Sequence, residues 1–168
     1  NRKQLTFAKL LQIAGYQTAI IGKWHLKTQP AGFDHYDIIP SQGKFFDCPF
    51  RNSANPWPKE TKSKGYLTDV ITAKTTDWIA NRDKTKPFML MVHHKAPHGP
   101  HHYPKRFEKL FAKDLPYPAT FDDDFATRPT LKASRAQASK FQTLTRNHLN
   151  KPEPKGLSPA ESKRWAYQ

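Results

Sequence analysis

Disulfide bonds and membrane-spanning segments are both missing from this sequence. A single cysteine, Cys48, stands among 168 residues, so the chain cannot form an internal disulfide bond. No apolar run approaches the roughly 18 residues of a membrane-spanning helix. Acidic residues are also scarce, since 14 Asp and Glu face 28 Lys and Arg, for a net charge of +14. This excess of positive charge favours an anionic partner, whether nucleic acid, acidic lipid or a polyanionic carbohydrate.

The sequence also shows no signal peptide and no initiator methionine. Its length fits one domain or a piece of a larger one, and a helix that begins near Ser158 runs to the last residue. We therefore expect residues 1–168 to be an internal fragment of a longer protein. Aromatic residues make up 12% of the chain, too many for a disordered composition. The basic residues are spread along the whole chain, which argues against a dedicated nucleic-acid arm.

The first part of the chain predicts a helix, a turn and a strand. Apolar residues recur at helical spacing, and Gly15 follows them in the position of a C-terminal helix glycine. The residues of this apolar face are Phe7, Leu10, Leu11 and Ala14. Residues 18–21 form a short β-rich apolar run, which predicts a buried strand. Residues 34–39 predict a second short strand, and residues 44–64 predict a loop.

A second pair of a helix and a strand follows. Residues 66–82 have helical periodicity, with Thr68 or Asp69 as the N-cap. Residues 88–92 are continuously apolar, as in a strand that is buried on both faces of a parallel sheet. This order matches the second half of a βαβ unit and predicts an α/β fold.

The last part of the chain gives weaker patterns. Residues 103–113 predict a short helix, and residues 114–157 predict a long irregular insertion because they show no periodicity. Ser158 and Glu161 have the spacing of a capping box, with Pro159 at the first helical position. A helix therefore begins at this point.

Both apolar strands are followed by basic side chains. Lys23 and His25 follow the first strand, and Lys95 and His98 follow the later one. Ligand sites in open α/β sheets collect at the carboxyl ends of strands. The pattern therefore indicates an anion site with a group for proton transfer nearby. The alternative is a pair of polar loops without function.

Five histidines lie within ten residues, but their spacing fits no standard zinc site. We interpret them as loop histidines, one or two of which take part in chemistry, and we predict no metal ligand in this chain. They are His93, His94, His98, His101 and His102. Cys48 has no evident base beside it, so we interpret it as structural.

Two runs carry a resemblance to a known family. Residues 15–26 read GYQTAIIGKWHL, and residues 87–100 read PFMLMVHHKAPHGP. Together they closely resemble two motifs of the formylglycine-dependent (type I) sulfatases, a family of the alkaline-phosphatase superfamily. The likeness covers most of residues 5–125. The HHKAPH variant and the Pro-Ser-Gln-Gly turn resemble the branch that acts on sulfated amino sugars of glycosaminoglycans, such as the N-acetylglucosamine-6-sulfatases.

The resemblance implies an alkaline-phosphatase-like α/β fold, with a mixed sheet between helices that this chain contains only as a partial domain. It also implies calcium-assisted hydrolysis of sulfate esters by a hydrated formylglycine. By residue match, Lys23 stabilises charge, His25 hydrogen-bonds the nucleophile and His98 protonates the leaving alcohol. Further substrate contacts are expected from Trp24, Ser41, Gln42 and Lys95. Fixed cations and a histidine acid suit this chemistry, because the sulfate stays charged and the leaving alkoxide needs a proton.

The resemblance is incomplete. The family's nucleophile motif, Cys or Ser-x-Pro-x-Arg, is absent, and the run that begins at Cys48 has the wrong spacing. The family's metal ligands are missing as well. We therefore expect calcium, its ligands and the formylglycine to lie outside this chain, and the 168 residues alone to be inactive. The resemblance also implies a working place outside the cytoplasm, and it leaves the oligomeric state open.

Three other functions stay open. A phosphoesterase or phosphonate hydrolase of the same superfamily would share this core. A basic nucleic-acid- or polyanion-binding module would explain the net charge, and it would bind DNA with an affinity that falls steeply with salt. A non-catalytic homologue would only bind sulfated glycans. We expect a sulfated carbohydrate as the partner, and neither nucleic acid nor a membrane span.

Overall fold

A computed structural model describes residues 2–110, 116–123, 125–130 and 152–167. The chain divides into two compact units, Asn1–Pro97 and His98–Gln168. The first unit contains the sheet. No helix in the described ranges is long and apolar enough to cross a membrane.

Helices and strands alternate in the first unit. In chain order they are α1 (Phe7–Ile13), β1 (Gln17–Lys23), β2 (His35–Ile39), β3 (Arg51–Asn52), α2 (Leu67–Asn81) and β4 (Phe88–His93). The four strands form one sheet in the order β3-β2-β1-β4. β1 is parallel to both β2 and β4, whereas β3 is antiparallel to β2. The predicted α/β fold with a mixed sheet is confirmed.

β1 lies inside the sheet, and its residues 18–22 are all buried, as predicted. Its side chains alternate between the two faces of the sheet. The core cluster on one face includes residues of α2 and consists of Ile21, Ile39, Cys48, Phe50, Leu67 and Ile71. The cluster on the other face consists of Ile20, Tyr36 and Ile38, with Trp24, Phe33, Trp57 and Met91 packed against it. Each fully buried large side chain stabilises the fold by about 1.5–3 kcal/mol, so both clusters hold β1 in place.

α1 begins and ends with capping interactions. At its start, the side chain of Thr6 accepts a hydrogen bond from the backbone N–H of Lys9. At its end, Gly15 N donates to Gln12 O over 3.0 Å, and Tyr16 N donates to Leu11 O over 2.9 Å. These two bonds form a Schellman motif, which needs a residue such as Gly15 that tolerates a positive φ, here +87°. The predicted stop at Gly15 is confirmed.

The predicted helix is confirmed as α1, but its apolar face is largely exposed. Phe7 and Leu10 are 57% and 50% exposed, whereas Ala8 is buried. The reason is a close approach to Gly32, where an added Cβ would lie 3.3 Å from the carbonyl carbon of Ala8 and 2.9 Å from the backbone nitrogen of Lys9. The small Ala8 therefore faces the protein, and this contact between distant residues is invisible to helical periodicity.

The predicted N-cap of α2 is wrong, although the predicted range differs from the observed one by a single residue at each end. The N-cap is Tyr66, not Thr68 or Asp69, and its side chain makes no capping hydrogen bond. The first helical N–H, that of Leu67, donates instead to the carbonyl oxygen of Phe45 over 2.8 Å. A backbone group from another segment thus takes the role of a side-chain cap.

β4 is less buried than predicted. Phe88 and Val92 are 40% and 36% exposed, whereas Leu90, which lies between them on the same face, packs against the core cluster that includes α2. Phe88 and Val92 are exposed because β4 forms an edge of the described sheet. A continuously apolar run therefore marks a strand here without marking burial on both faces.

The second unit contains little regular structure in its described part. A 3₁₀-helix spans Lys105–Phe107 and a turn follows at residues 108–110, so the helix predicted over residues 103–113 is shorter than expected in the described part of the chain. Residues 111–113 of that prediction lie outside the described residues. The same is true of most of the irregular stretch predicted over residues 114–157.

The helix predicted at the end of the chain is confirmed as α3 (Pro159–Tyr167). Ser158 N donates to Glu161 Oε2 over 2.8 Å, and Glu161 N donates back to Ser158 Oγ over 3.3 Å. This is the predicted capping box. Lys163 of α3 forms an ion pair with Asp122 at 3.2 Å, which ties the helix to the turns of residues 116–123.

Gly22 gives a test of the contact between β1 and β4. Its φ is +111°, and an added Cβ would lie 2.0 Å from the carbonyl oxygen of His93. We expect Gly22→Ala to destabilise the protein by at least about 4 kcal/mol, because a clash with backbone is added to an unfavourable φ. Urea unfolding of the intact protein, followed by circular dichroism, measures this loss.

Gly65→Ala is the matched control for this experiment. Gly65 has a similar φ of +104°, but nothing lies within 4 Å of the position that a Cβ would take. Only backbone strain is added, so we expect a loss of about 1–2 kcal/mol. Equal losses for the two variants would show that the close approach of β4 to Gly22 does not matter.

Candidate active site

The predicted strand ends meet at one edge of the sheet. β1 and β4 are parallel neighbours in which Gly22 pairs with His93, so the residues that follow the two strands emerge side by side. His93 donates from Nδ1 to the carbonyl oxygen of Lys23 over 3.1 Å. This bond joins the last residues of the two strands and holds the backbone of Lys23 against β4.

Gln42 accepts hydrogen bonds from both lysines of the predicted site. Lys23 Nζ donates to Oε1 of Gln42 over 2.7 Å, and Lys95 Nζ donates to the backbone oxygen of Gln42 over 3.0 Å. Gln42 lies in the turn after β2, which is closed by a hydrogen bond of 3.0 Å from Gly43 N to Pro40 O. Three parallel strands therefore each deliver one residue to the same place.

The electrostatics of this place favour an anion. Lys95 is only 8% exposed, and its Nζ lies 4.8 Å from the centroid of the Phe45 ring. Burial, and after it the positive charge of Lys23, lower the pKa of Lys95. Neither ammonium group has a carboxylate partner in the described part of the chain. A bound anion would compensate both charges.

A cavity of about 450 Å³ adjoins Lys23. We call it the first cavity, and its lining residues are Lys23, Trp24, His25, Leu26, His93 and His94. The Trp24 ring is fixed by a hydrogen bond of 2.6 Å from Nε1 to Thr28 O and by an edge-to-face contact with Phe33 at 6.0 Å. The first cavity thus offers imidazole groups beside a cation, as proton transfer near an anion requires.

The structure brings most of the predicted site residues together. Those of the first unit lie at the carboxyl edge of the sheet, namely Lys23, Trp24, His25, Gln42 and Lys95. Ser41 lies in the same turn as Gln42, with a left-handed backbone of φ 52°, and it lines a neighbouring cavity.

His98 is the exception among the predicted site residues. It opens the second unit, in which its Nδ1 donates to the carbonyl oxygen of Gly99 over 2.7 Å. Its expected position beside Lys23 and His25 stays a prediction.

Sequence reasoning missed the role of His93, which it grouped with the loop histidines. His93 is instead the last residue of β4, and it bonds the backbone of Lys23. This contact depends on the register of β4 against β1, which a single sequence does not reveal. The sequence feature that could have indicated this role is the position of His93 directly after an apolar run.

A groove of about 400 Å³ lies at the opposite, amino end of the sheet. Its carboxylates already have protein partners. Asp37 pairs with His35 at 3.2 Å and with Lys74 at 3.0 Å; burial alone would raise the pKa of Asp37, but these hydrogen bonds lower it overall. Asp34 accepts hydrogen bonds from the backbone and side chain of Thr18. We therefore assign this groove a structural role.

The described residues do not fit calcium or a formylglycine nucleophile. No group of three His, Cys, Asp or Glu side chains within the described ranges could hold a metal ion. Cys48 is 1% exposed and packs in the core cluster that includes α2, where burial raises the pKa of its thiol. These observations support the interpretation of Cys48 as a structural residue and give it no access to the first cavity.

The fold and the paired lysines define an α/β protein with a cluster of positive charge at the carboxyl edge of its sheet. A family model described as Sulfatase matches residues 1–149. The chain belongs to the sulfatase family, and the recognition made from the two motifs is confirmed. The alkaline-phosphatase-like fold is confirmed with it.

Similar proteins include sulfatases that act on amino sugars. The N-acetylglucosamine-6-O-sulfatase of Bacteroides thetaiotaomicron is 45% identical over 150 residues, which are 86% of this chain and 26% of that protein. The N-acetylglucosamine-6-sulfatase of Homo sapiens is 28% identical over 123 residues, which are 64% of this chain and 22% of that protein.

A solved structure of a protein in complex with its substrate D-glucosamine-2-N,6-O-disulfate is also similar, with a TM-score of 0.66 and 46% identity. The similarity covers 74% of this chain and 25% of that one. The chain thus spans about a quarter of the length of these relatives.

The lowered pKa of Lys95 predicts a pH dependence of stability. When a lysine has a lower pKa in the folded protein than in the unfolded chain, protonation opposes folding at neutral pH. This penalty disappears as the pH rises through the folded pKa towards the ordinary value of 10.5. We therefore expect Lys95→Met to be at least as stable as the unchanged protein at pH 7, and to lose that advantage as the pH approaches 10.5.

Urea midpoints of the intact protein and of Lys95→Met, measured from pH 7 upwards, check this expectation. Lys84→Met is the control, because Lys84 is exposed and lies between α2 and the start of β4, at the opposite end of the sheet. A difference between the Lys95 variant and the unchanged protein that stays constant with pH would contradict the proposed cost of burying this charge.

Proposed function

We propose that this protein is a sulfatase that hydrolyses a sulfate ester of a sulfated amino sugar. The observation that carries the proposal is the convergence of Lys23 and Lys95 on Gln42, at distances of 2.7 and 3.0 Å. Two fixed ammonium groups without a carboxylate partner among the described residues form a site for a compact anion. A sulfate ester has this character.

The relatives support the amino-sugar part of the proposal. Two of them are named as N-acetylglucosamine-6-sulfatases, and the similar solved structure contains a glucosamine disulfate. These names describe those proteins. Because the chain covers about a quarter of their length, the activity and the substrate are proposals for this protein.

Lys23 and Lys95 would bind the sulfate oxygens and stabilise the charge that the transition state carries. The electrostatic benefit is large in a site that is shielded from water, and Lys95 is almost fully buried. Gln42 keeps each lysine at a fixed place, so little reorganisation is needed when the ester binds. This pre-organisation is the main contribution that we assign to the three strand ends.

The histidines would handle protons. We propose that His25, two residues beyond Lys23, hydrogen-bonds the attacking group, and that His98 protonates the leaving sugar alcohol. Histidine suits the second role because its ordinary pKa lies near neutrality and an alkoxide leaves poorly without a proton. His93 has a different task, since its bond to the Lys23 carbonyl oxygen positions that lysine.

Three further residues would contact the sugar. Trp24 presents a fixed indole in the wall of the first cavity. Gln42 uses both of its oxygens for the lysines, which leaves its Nε2 as a donor for the substrate. Ser41, in the same turn, supplies a hydroxyl group.

The remaining parts of the proposal follow from family membership. Calcium and a formylglycine nucleophile would be supplied by residues other than those described, which contain no fitting ligand group, and we derive no step through them. We place the working protein outside the cytoplasm, as is usual for sulfatases of this type. The oligomeric state is left open.

Lys23→Met in the intact protein tests the role of the lysine pair. We expect kcat/KM for N-acetylglucosamine-6-sulfate to fall by about 10²- to 10³-fold, because one fixed charge at the sulfate is lost. The measurement is the initial rate of sulfate release. Lys84→Met, at the far end of the sheet, should leave the rate unchanged.

The same assay separates the rival functions. A phosphoesterase would hydrolyse the matching phosphate monoester faster than the sulfate ester. A nucleic-acid-binding module would bind DNA with an affinity that falls steeply with salt. Lys23→Met would leave that affinity unchanged. If Lys23→Met leaves sulfate release unaltered, the proposed function is wrong.

His98→Gln tests the proposed acid through the leaving group. A sugar alcohol must be protonated as it leaves, whereas nitrophenolate needs no proton. We therefore expect the variant to lose about 10²- to 10⁴-fold on N-acetylglucosamine-6-sulfate and little on 4-nitrophenyl sulfate. Equal losses on both substrates would rule out His98 as the general acid.

A further inference from the structure

A second cavity, of about 190 Å³, lies beside the first. It is lined by the end of β2 and by residues of the loops around it, namely Trp24, Lys27, Ile38, Ile39, Pro40, Ser41, Arg51 and Trp57. Arg51 pairs with Ile38 across the antiparallel β2–β3 contact, which places it at the carboxyl edge of β2. The two cavities share Trp24, so they open at the same edge of the sheet.

We propose that this second cavity binds a second anionic group, a sulfate or a carboxylate, on the same carbohydrate whose sulfate ester is hydrolysed. The proposal rests on the proposed function and deepens it, because it makes the protein selective for multiply charged sugars. The ester to be cleaved occupies the lysine pair, and the second anion lies on the other side of Trp24.

The cations of the second cavity support the proposal. Arg51 donates from Nη2 to Glu60 over 2.8 Å, and its guanidinium lies 5.0 Å from the centre of the Trp57 ring, so the group is held in place. Its Nε–H is buried and has no acceptor in the described part of the chain. Lys27 is exposed, and no carboxylate in that part pairs with it. Glu60 offsets one of the two positive charges, which leaves an excess for an anion.

The two indoles define where a sugar ring would lie. Trp24 is fixed by its bond to Thr28 O and by Phe33, and Trp57 is fixed by the Arg51 guanidinium. Both side chains also pack partly against the core cluster of Ile20, Tyr36 and Ile38. Rigid aromatic walls with cations beside them suit a ring that carries charged substituents and disfavour a flexible apolar ligand.

Backbone strain marks the same cavity. Lys27 and Ser41 have φ values of 58° and 52°, in the left-handed region that residues with a Cβ rarely adopt. Both line the second cavity. Strain of this kind persists where the surroundings enforce it, and it concentrates at functional sites. Here it coincides with the cations and the indoles in one place.

The test uses the intact protein and two variants, Lys27→Gly and Arg51→Gln. Glycine removes the Lys27 charge and favours the observed backbone conformation. Lys84→Met is the control for charge loss far from the site. The substrates are N-acetylglucosamine-6-sulfate, glucosamine-2-N,6-O-disulfate, and a disaccharide in which a uronate carboxylate adjoins the 6-sulfated residue.

We expect each variant to raise KM by about 10-fold for the doubly charged substrates, and to leave kcat and the monosulfated substrate unchanged. If KM rises for the disulfate alone, the cavity binds a sulfate. If KM rises for the uronate disaccharide alone, the cavity binds a carboxylate. If all three substrates change equally, or none changes with either variant, the proposal is overturned.

A binding measurement separates this proposal from the proposed function. Calorimetric titration compares glucosamine-2-N,6-O-disulfate with N-acetylglucosamine-6-sulfate on the unchanged protein and on Lys27→Gly. Preferential binding of the disulfate that Lys27→Gly abolishes supports the second anion site even if no ester is hydrolysed. Equal affinity for the two sugars overturns the second site, whatever the hydrolysis assay shows.

Discussion

Parallel pairing of β1 with β2 on one side and with β4 on the other is the constraint on which the site depends. Parallel strands end at the same edge of a sheet, so Lys23, the turn that holds Gln42, and Lys95 come together although 72 positions separate the two lysines in the numbering of the chain. Gly22 makes the pairing possible, because any side chain there would meet the backbone of His93. The register in turn sets the bond from His93 to Lys23.

The lysine pair shows a conflict between folding and function. Burying Lys95 beside a second cation opposes folding, as its lowered pKa indicates. The two core clusters on either side of β1 supply the stability that allows this arrangement. Gln42 reduces the cost, since both ammonium groups gain a hydrogen-bond acceptor. An acidic residue in the place of Gln42 would neutralise the lysines and would remove the excess positive charge on which the proposed binding of a sulfate ester rests.

The two cavities add walls of defined shape to this cluster of positive charge. Trp24 separates them and lines both, so one rigid indole would lie between the proposed sulfate-ester site and the proposed second anion site. The composition shows an excess of basic residues over the whole chain. Four of them lie at this edge of the sheet, namely Lys23, Lys27, Arg51 and Lys95. The positive charge would select an anionic carbohydrate by position, in addition to attracting it from solution.

Local sequence alone determined most of the elements and the family, although β3 lies in residues 44–64, which were predicted as a loop. The apolar run of β1, the glycine after α1 and the capping box of α3 are all short-range patterns, and so are the motifs that contain Lys23 and Lys95. Tertiary structure decided which surfaces meet. Ala8 faces Gly32, Leu67 is capped by Phe45, β4 lies at an edge of the described sheet, and Gln42 bridges two lysines. Each of these contacts joins residues that are distant in the chain, and their energies depend on packing and register, which local periodicity does not encode.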